Sequence, residues 1–237
     1  NDAGMGMLQA LGARFLNEKG ELLQDGVEQL AQLCSIDLNS FHPAIEESEF
    51  IIANDVENPL IGERGASAVF GRQKGVKRHE VSMFDAYLKR FADVVARERG
   101  IHLHHLTGAG AAGGVGGAVK AFFPSRFQKG IDVVLEASDF EAVVQSAQLV
   151  ITGEGQSDLQ TLAGKAPVGV ARLAKKFEVP VVLLSGAIDE QSRPQLADYF
   201  TDVFAVASEG ITVKEAIKKP KETLRQRVLQ SMRHLFE

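Results

Sequence analysis

The sequence has little that would support a disulfide framework, a membrane span or a broad nucleic-acid surface. It contains one cysteine, Cys34, and no tryptophan, so an internal disulfide is impossible and a reducing compartment is expected. No apolar run reaches the roughly 18 residues that a transmembrane helix needs. The formal net charge of −5 disfavours a wide electrostatic grip on nucleic acid. We therefore expect a cytoplasmic protein with small-molecule partners, without nucleic acid and without a membrane.

Two common nucleotide-handling signatures are missing as well. The Gly-Lys-Ser or Gly-Lys-Thr of a Walker A loop does not occur, and protein-kinase signatures are absent. The 23 glycines instead concentrate in segments that also carry carboxylates, amides or lysine, namely 54–75, 107–117 and 152–165. Glycine lets backbone N–H groups approach an anion, carboxylates can hold a metal ion, and lysine neutralises phosphate charge. Together these segments predict phosphoryl transfer.

The second half of the chain reads as strands alternating with helices. Short apolar, β-branched runs typical of buried strands lie at 131–135, 149–152, 181–184 and 203–207. Helix signals, which are capping boxes, a first-turn proline and amphipathic spacing, lie at 138–141, Pro167, 212–215 and 222–236. This alternation predicts a doubly wound parallel sheet. A change in sequence character near 125–130 predicts a domain boundary.

The first half is less regular. Residues 50–53 are expected to form a strand, and 79–98 a long amphipathic helix with apolar residues on one face. A further helix is expected over 111–123, entered through the glycine run.

The glycine run fits the pattern G-x-G-x-x-G from Gly108 to Gly113. It could bind an anion at a helix N-terminus, or it could serve close packing of a helix on its neighbour. A dinucleotide site would need a preceding strand and a later acid; residues 101–106 are only a fair strand, and Glu136 is somewhat distant. This pattern carries the competing hypothesis of a nicotinamide-dependent oxidoreductase.

The other two segments place oxygen donors beside predicted strands. Glu154, between two glycines after the strand at 149–152, could hold a metal ion or a substrate hydroxyl, because ligands collect at the carboxyl ends of parallel strands. Asp55 and Asn58 follow the strand at 50–53 and are small oxygen donors of the kind that magnesium requires. The alternatives are a solvated loop in the first case and an Asx-capped turn in the second.

In these residues the sequence resembles the bacterial glycerate kinase family, of the glycerate 2-kinase type, from end to end. The motifs that carry the resemblance are 1–8, 55–60, 65–71 with 73–75, 108–116, 152–155 with Asp158, Gln160 and Thr161, and 164–171. Glu57 stands where an aspartate is usual in this family.

The resemblance implies ATP-dependent phosphorylation of D-glycerate with Mg²⁺, giving 2-phosphoglycerate. It implies an α/β fold of two domains, with the active site in the cleft between them: an inserted α/β domain over 1–127 and a Rossmann-like, doubly wound parallel sheet, incomplete here, over 128–237. It also implies a further segment before Asn1, so an inactive truncated fragment is a second alternative. Whether the protein forms a homodimer is left open.

The candidate site residues fall into three groups. The catalytic candidates are Asp55, Glu154, Asp158 and Lys165. The metal candidates are Asp55 and Glu154. The candidates for binding substrate or phosphate are Asp2, Asn58, Ser67, Lys74, Gly108, Gly110, Gly113, Gly114 and Gln160.

Overall fold

Two separate hydrophobic cores divide the chain, one in Asn1–Gln128 and one in Lys129–Glu237. The computed structural model describes residues 1–162, 164–208 and 210–236. None of the helices in this described part combines the length and the apolar character needed to cross a bilayer. That the first unit is a domain inserted into the second stays a prediction.

The first unit combines short strands with helices. Its strands are β1 (Arg14–Leu16), β2 (Ser35–Asp37), β3 (Phe50–Ala53) and β4 (Ser125–Gln128), its α-helices are α1 (Met5–Ala10), α2 (Ala66–Phe70), α3 (Val81–Arg99) and α4 (Val115–Phe122), and its 3-10 helices are Val27–Gln32, Pro43–Ile45, Arg72–Lys74, Arg78–Glu80 and Ala111–Gly114. Strand β1 runs antiparallel to β2, whereas β3 runs parallel to β4.

Helix α3 packs into the core of this unit. Its residues Leu88, Phe91 and Val95 are fully buried, as their spacing along one helical face predicts. The predicted helix over 79–98 is confirmed, although the residues before Val81 form a 3-10 turn. The helix ends at Gly100, which adopts a left-handed conformation (φ 69°) that suits a residue without a Cβ atom.

The second unit is a parallel sheet with helices between its strands. Its strands are β5 (Val150–Ser157), β6 (Val181–Ile188) and β7 (Asp202–Ala205), and its helices are α5 (Gly130–Ala137), α6 (Phe140–Gln145), α7 (Leu159–Leu162), α8 (Ala166–Lys176), α9 (Arg193–Leu196), α10 (Val213–Lys218) and α11 (Pro220–Phe236). The order in the sheet is β5-β6-β7, with all described pairings parallel. The predicted α/β class with parallel strands is confirmed.

Two of the predicted helix starts in this unit are also confirmed. Pro167 lies in the first turn of α8. At α10 the Thr212 hydroxyl accepts a hydrogen bond from the Glu215 N–H, and the Glu215 carboxylate accepts one from the Thr212 N–H. This reciprocal capping satisfies N–H groups that have no partner within the helix.

The predicted strand at 131–135 is wrong, because these residues lie in α5. A short apolar run does not distinguish a buried strand from a packed helix. Ile131 packs so closely on α8 that a Cβ atom added to Gly169 would clash with its side chain. The capping box expected at 138–141 does not form either: Ser138 Oγ donates to the carbonyl of Val134, four residues earlier, and Asp139 makes no side-chain cap.

The structure also removes the context that a dinucleotide site needs. Residues 101–110 form coil and turns instead of a strand, and Glu136 lies within helix α5. The helix predicted over 111–123 begins only at Val115, because Ala112 and Gly113 adopt left-handed conformations. With neither a strand before the glycines nor an acid at a strand end, the oxidoreductase hypothesis loses its basis.

Strand β5 is longer than its sequence predicts. The sequence predicts a strand over 149–152, yet the parallel ladder with β6 continues to the pair Ser157 and Ile188. A Cβ atom on Gly153 would lie 2.5 Å from the carbonyl oxygen of Leu184. The glycine therefore permits a close approach of the two strands instead of ending one of them.

Candidate active site

In the first unit the glycine run packs against the segment that follows β3. The N–H of Gly110 donates to the carbonyl of Asn58 at 2.9 Å, and that of Gly108 donates to the carbonyl of Glu57 at 3.3 Å. A Cβ atom on Gly110 would clash with the carbonyl oxygen of Pro59. At these two glycines the N–H groups are engaged within the protein, which favours the close-packing interpretation there. Ligand contact by Gly108 and Gly110 stays a prediction.

The later glycines of the run lie beside a lysine. Lys74 Nζ donates to Asn1 Oδ1 at 2.8 Å, and a Cβ atom on Gly113 would lie 2.6 Å from that oxygen and 3.0 Å from Lys74 Nζ. Gly113 and Gly114 both have positive φ angles, 74° and 102°. Lys74 is exposed, and no carboxylate within the described residues pairs with it. The turn therefore presents an uncompensated positive charge next to closely spaced backbone.

Two of the remaining candidates of this unit, Asp2 and Asn58, form hydrogen bonds within the protein. Asp2 Oδ1 accepts from the N–H of Gly4 at 3.1 Å, and Asn58 Nδ2 donates to the carbonyl of Arg64 at 2.8 Å. Ser67 is fully buried, and its hydroxyl has no hydrogen-bond partner among the described residues. Asp55 is exposed and lies two residues after β3.

Sequence reasoning missed Asp85, which fastens the loop that contains Asn58. Both Asp85 carboxylate oxygens lie 3.1 Å from the N–H of Gly62. Burial raises the pKa of Asp85, and the hydrogen bond from Gly62 opposes that rise in pKa. Because the two residues are 23 positions apart, no local sequence signal could reveal this contact.

In the second unit the structure brings several predicted residues together where β5 leads into α7. Glu154 Oε1 accepts hydrogen bonds from Ser157 Oγ and from Thr161 Oγ1, both at 2.7 Å. Thr161 Oγ1 in turn accepts from the N–H of Asp158 at 3.1 Å, and Asp158 Oδ1 accepts from the N–H of Gln160 at 2.8 Å. The hydroxyls of Ser157 and Thr161 were not among the predicted site residues, although serine and threonine three and seven residues after an acid are a usable signal.

Lys165 stands at the start of helix α8. It occupies the N-cap position, its side chain is exposed, and its backbone N–H donates to the carbonyl of Thr161 at 3.3 Å. An exposed lysine thus occupies the N-terminus of a helix, and both features favour an anionic ligand.

A cavity of about 800 Å³ lies along β5 in the second unit. Its lining is mainly apolar and consists of the segment 151–156, then Leu184, Gly186, Ala187 and Val206, and from the helical region Val213, Ala216, Ile217, Pro220, Thr223 and Leu224. Among these described lining residues Glu154 is the single charged one. A largely apolar lining that includes a single acidic residue is typical of small-molecule sites.

Comparisons with known proteins assign this α/β chain to a family. The model of the glycerate kinase family matches residues 1–236. Glycerate kinase of Bacillus subtilis (strain 168) is 40% identical over 222 residues, which cover 94% of this chain and 58% of that protein. Glycerate 2-kinase of Escherichia coli (strain K12) is 36% identical over 92% of this chain and 57% of that protein.

A solved structure agrees with this assignment. The crystal structure of a candidate glycerate kinase 2 from Salmonella typhimurium LT2 superimposes with a TM-score of 0.79 at 38% identity, covering 99% of this chain and 62% of that one. The chain belongs to the glycerate kinase family. It spans about three fifths of the length of the curated relatives it matches.

Proposed function

We propose that the complete protein is a glycerate kinase, which transfers the γ-phosphoryl group of ATP to a hydroxyl of D-glycerate. The observation that carries this proposal is the family match over residues 1–236, together with relatives named as glycerate kinases. Glu154, Lys74 and Lys165, which lie in the family motifs, have the side-chain chemistry that such a reaction needs. A cytoplasmic location belongs to the same proposal and is supported by the single cysteine.

The proposed reaction makes one bond and breaks one bond at phosphorus. The glycerate hydroxyl oxygen bonds to the γ-phosphorus while the bond between that phosphorus and the β–γ bridging oxygen breaks, so that ADP leaves. The hydroxyl proton passes to a carboxylate or to water. Enzymes of this kind act mainly by alignment and by neutralising the charge on the phosphoryl oxygens. Glu154 and Asp55 are the carboxylates we propose for orienting the hydroxyl.

Magnesium fits the same carboxylates. Proteins usually bind Mg²⁺ through one or two carboxylates, with substrate phosphates and water completing the shell. No ready-made group of three or more metal-binding side chains exists among the described residues, and this mode needs none. Glu154 keeps Oε2 unengaged by the described residues, and Asp55 is exposed. When bound, the ion would neutralise charge on the transferred phosphoryl group.

The lysines suit the anionic parts of the substrates. We propose that Lys74, beside Gly113 and Gly114, and Lys165, at the start of α8, bind phosphate oxygens or the glycerate carboxylate. The residues proposed to line the substrates around them are Asp2, Asn58, Ser67, Gly108, Gly110, Asp158 and Gln160.

Removal of single charges tests these roles. Glu154→Gln and Lys165→Met should each lower turnover by about 10²-fold or more, the magnitude typical of a lost transition-state contact. The measurement is glycerate-dependent ADP release by the complete protein. Glu47→Gln and Lys19→Met are matched controls, because both side chains are exposed on the first unit. Near-wild-type turnover in both site variants would reject the assignment.

The position of phosphorylation has its own assay. We propose the 2-hydroxyl, following the name of the Escherichia coli relative. Enolase accepts 2-phosphoglycerate directly, so adding enolase without a mutase should give a phosphoenolpyruvate signal. A signal that requires a phosphoglycerate mutase would indicate the 3-hydroxyl instead.

A further inference from the structure

We propose that Ser157 and Thr161 are positioning residues, which fix the Glu154 carboxylate so that one oxygen is held and the other faces ligand. This inference rests on the proposed function, because Glu154 is the acid it assigns to the reaction. Neither hydroxyl need touch the substrate; both act through Glu154.

The two hydroxyls converge on one oxygen of the carboxylate. Ser157 Oγ and Thr161 Oγ1 each lie 2.7 Å from Glu154 Oε1, a length normal for hydrogen bonds from hydroxyl to carboxylate. Both donor residues are fully buried, with 0% of their surface exposed. Water therefore does not compete for these bonds, and each hydroxyl would be left without this acceptor if the carboxylate swung away.

The direction of the Thr161 bond is fixed by a third partner. The N–H of Asp158 donates to Thr161 Oγ1 at 3.1 Å. Since this bond occupies a lone pair of the hydroxyl oxygen, the hydroxyl proton is directed to Glu154. The turn that begins α7 thus sets the position of a side chain on β5.

The second carboxylate oxygen is left for a ligand. Glu154 lines the cavity along β5, and no hydrogen bond from the described residues reaches Oε2. A glutamate side chain has several rotatable bonds and would otherwise sample many positions. Since a misplacement of about 1 Å can cost roughly 10²-fold in rate, holding Oε1 gives Oε2 a defined position before any ligand arrives.

Paired variants separate positioning from folding. In the complete protein, Thr161→Val removes a hydroxyl at constant shape, Thr161→Ser keeps it, and Ser157→Ala removes the other. We expect kcat to fall about tenfold in Thr161→Val and in Ser157→Ala, and about 10²-fold in the double variant. Thr161→Ser should stay within about threefold of wild type. The KM values for ATP and glycerate should change by less than about twofold.

A cycle with Glu154→Gln asks whether the hydroxyls act through the acid. If they do, Thr161→Val should reduce turnover no further once Glu154 is already glutamine, because the effects of residues that act as a unit are not additive. The matched control is Ser231→Ala, which removes a buried hydroxyl of the same unit that donates to the Arg227 carbonyl. It should leave kcat unchanged.

Three kinetic results would overturn the proposal. The first is an unchanged kcat in the Thr161→Val and Ser157→Ala double variant. The second is a loss in Thr161→Ser as large as that in Thr161→Val. The third is an equal loss from Thr161→Val in the wild-type and Glu154→Gln backgrounds, which would mark a purely structural role.

A spectroscopic measurement keeps the inference testable apart from the reaction. With ¹³C-labelled glutamate, the Glu154 carboxyl resonance can be assigned by its loss in Glu154→Gln. It should move toward the resonances of exposed glutamates in the Ser157→Ala and Thr161→Val double variant. If wild-type protein shows no glycerate-dependent ADP release, the proposed function fails and this resonance alone decides the positioning. A resonance that does not move would overturn it.

Discussion

At the scale of single residues, Asp93 shows how a surface carboxylate gains one partner from its own helix and another from outside it. Its oxygens accept from Lys89 Nζ and from His104 Nε2, both at 2.8 Å. Burial alone would raise the pKa of Asp93, but the hydrogen bonds from Lys89 and His104 outweigh it, so the pKa lies below its ordinary value of 3.8. His104 is therefore a hydrogen-bond partner of Asp93 in this fold.

The lowered pKa of Asp93 gives a pH-dependent contribution to stability. When the folded pKa lies below the unfolded one, the contribution is present above the unfolded pKa and is lost as the pH falls through the folded pKa. When the pH is lowered from neutral to about 3, the unfolding free energy of Asp93→Asn should therefore decrease less than that of wild type. Urea unfolding at several pH values measures this difference. The exposed Asp25 provides the control Asp25→Asn, and identical pH profiles for wild type and Asp93→Asn would contradict the prediction.

Gly110 is a position where an added methyl group should be costly. Its φ of −79° is open to any residue, so the obstacle is the clash with the carbonyl oxygen of Pro59. We expect Gly110→Ala to lower the unfolding free energy by about 1–3 kcal/mol, the usual range for overpacking. In Gly6→Ala an added Cβ atom meets nothing within 4 Å, and this helical position should gain stability. Chemical denaturation of both variants checks the contrast, which equal stabilities would refute.

At the scale of elements, the loop over 58–65 depends on its attachment to α3 through Asp85. The raised pKa means that the stability contribution of Asp85 is present below its unfolded pKa of about 3.8 and is lost as the pH rises through the folded pKa. At neutral pH the buried, ionised carboxylate therefore lowers the free energy of unfolding. An asparagine amide would avoid this loss, and its oxygen could still accept the hydrogen bond from the Gly62 N–H.

Two substitutions at Asp85 should thus diverge at neutral pH. Asp85→Asn should be at least as stable as wild type, whereas Asp85→Ala should lose about 1 kcal/mol because the Gly62 N–H loses its acceptor. Thermal unfolding of the two variants measures this difference. If both variants lose the same stability, the hydrogen bond to Gly62 does not hold the loop.

The elements that sequence patterns predicted well are those with a long period or a specific cap. The spacing along α3 and the reciprocal cap at Thr212 and Glu215 both lead to the observed helices. The strand prediction for 131–135 was wrong because this segment packs as a helix against Gly169 on α8. That contact is not visible in the local sequence. Strand β5 was predicted too short because glycines are unfavourable in an isolated strand. In this fold Gly153 instead allows the backbone of β6 to approach closely.

At the scale of the whole molecule, the two cores should respond separately to damage. Leu88 is fully buried in the first core and Leu183 in the second. Each substitution to alanine should cost about 2–5 kcal/mol. Because a compact unit opens cooperatively, Leu183→Ala should lower the hydrogen-exchange protection of the β5 and β6 amides and spare those of α3. Leu88→Ala should do the reverse. Equal loss of protection throughout after either change would mean that the chain unfolds as one unit.

The order of motifs along the whole chain predicted the family, which no single motif could do. It led to Glu154, Asp158 and Lys74, whose chemistry is visible in their residue types. It did not lead to Asp85, because a carboxylate that supports a backbone group 23 positions away carries no distinct sequence pattern. Such roles depend on distances of about 3 Å between positions that only the fold brings together.

The placement of Glu154 within β5 restricts the number of residues between Val150 and Glu154 more than it restricts their identity. Side chains alternate between the two faces of a strand, so a single inserted residue between Val150 and Glu154 would turn the carboxylate to the opposite face. The hydrogen bond from Thr161 on α7 to Glu154 would then be lost. Insertions should therefore be absent from this stretch in any functional variant library.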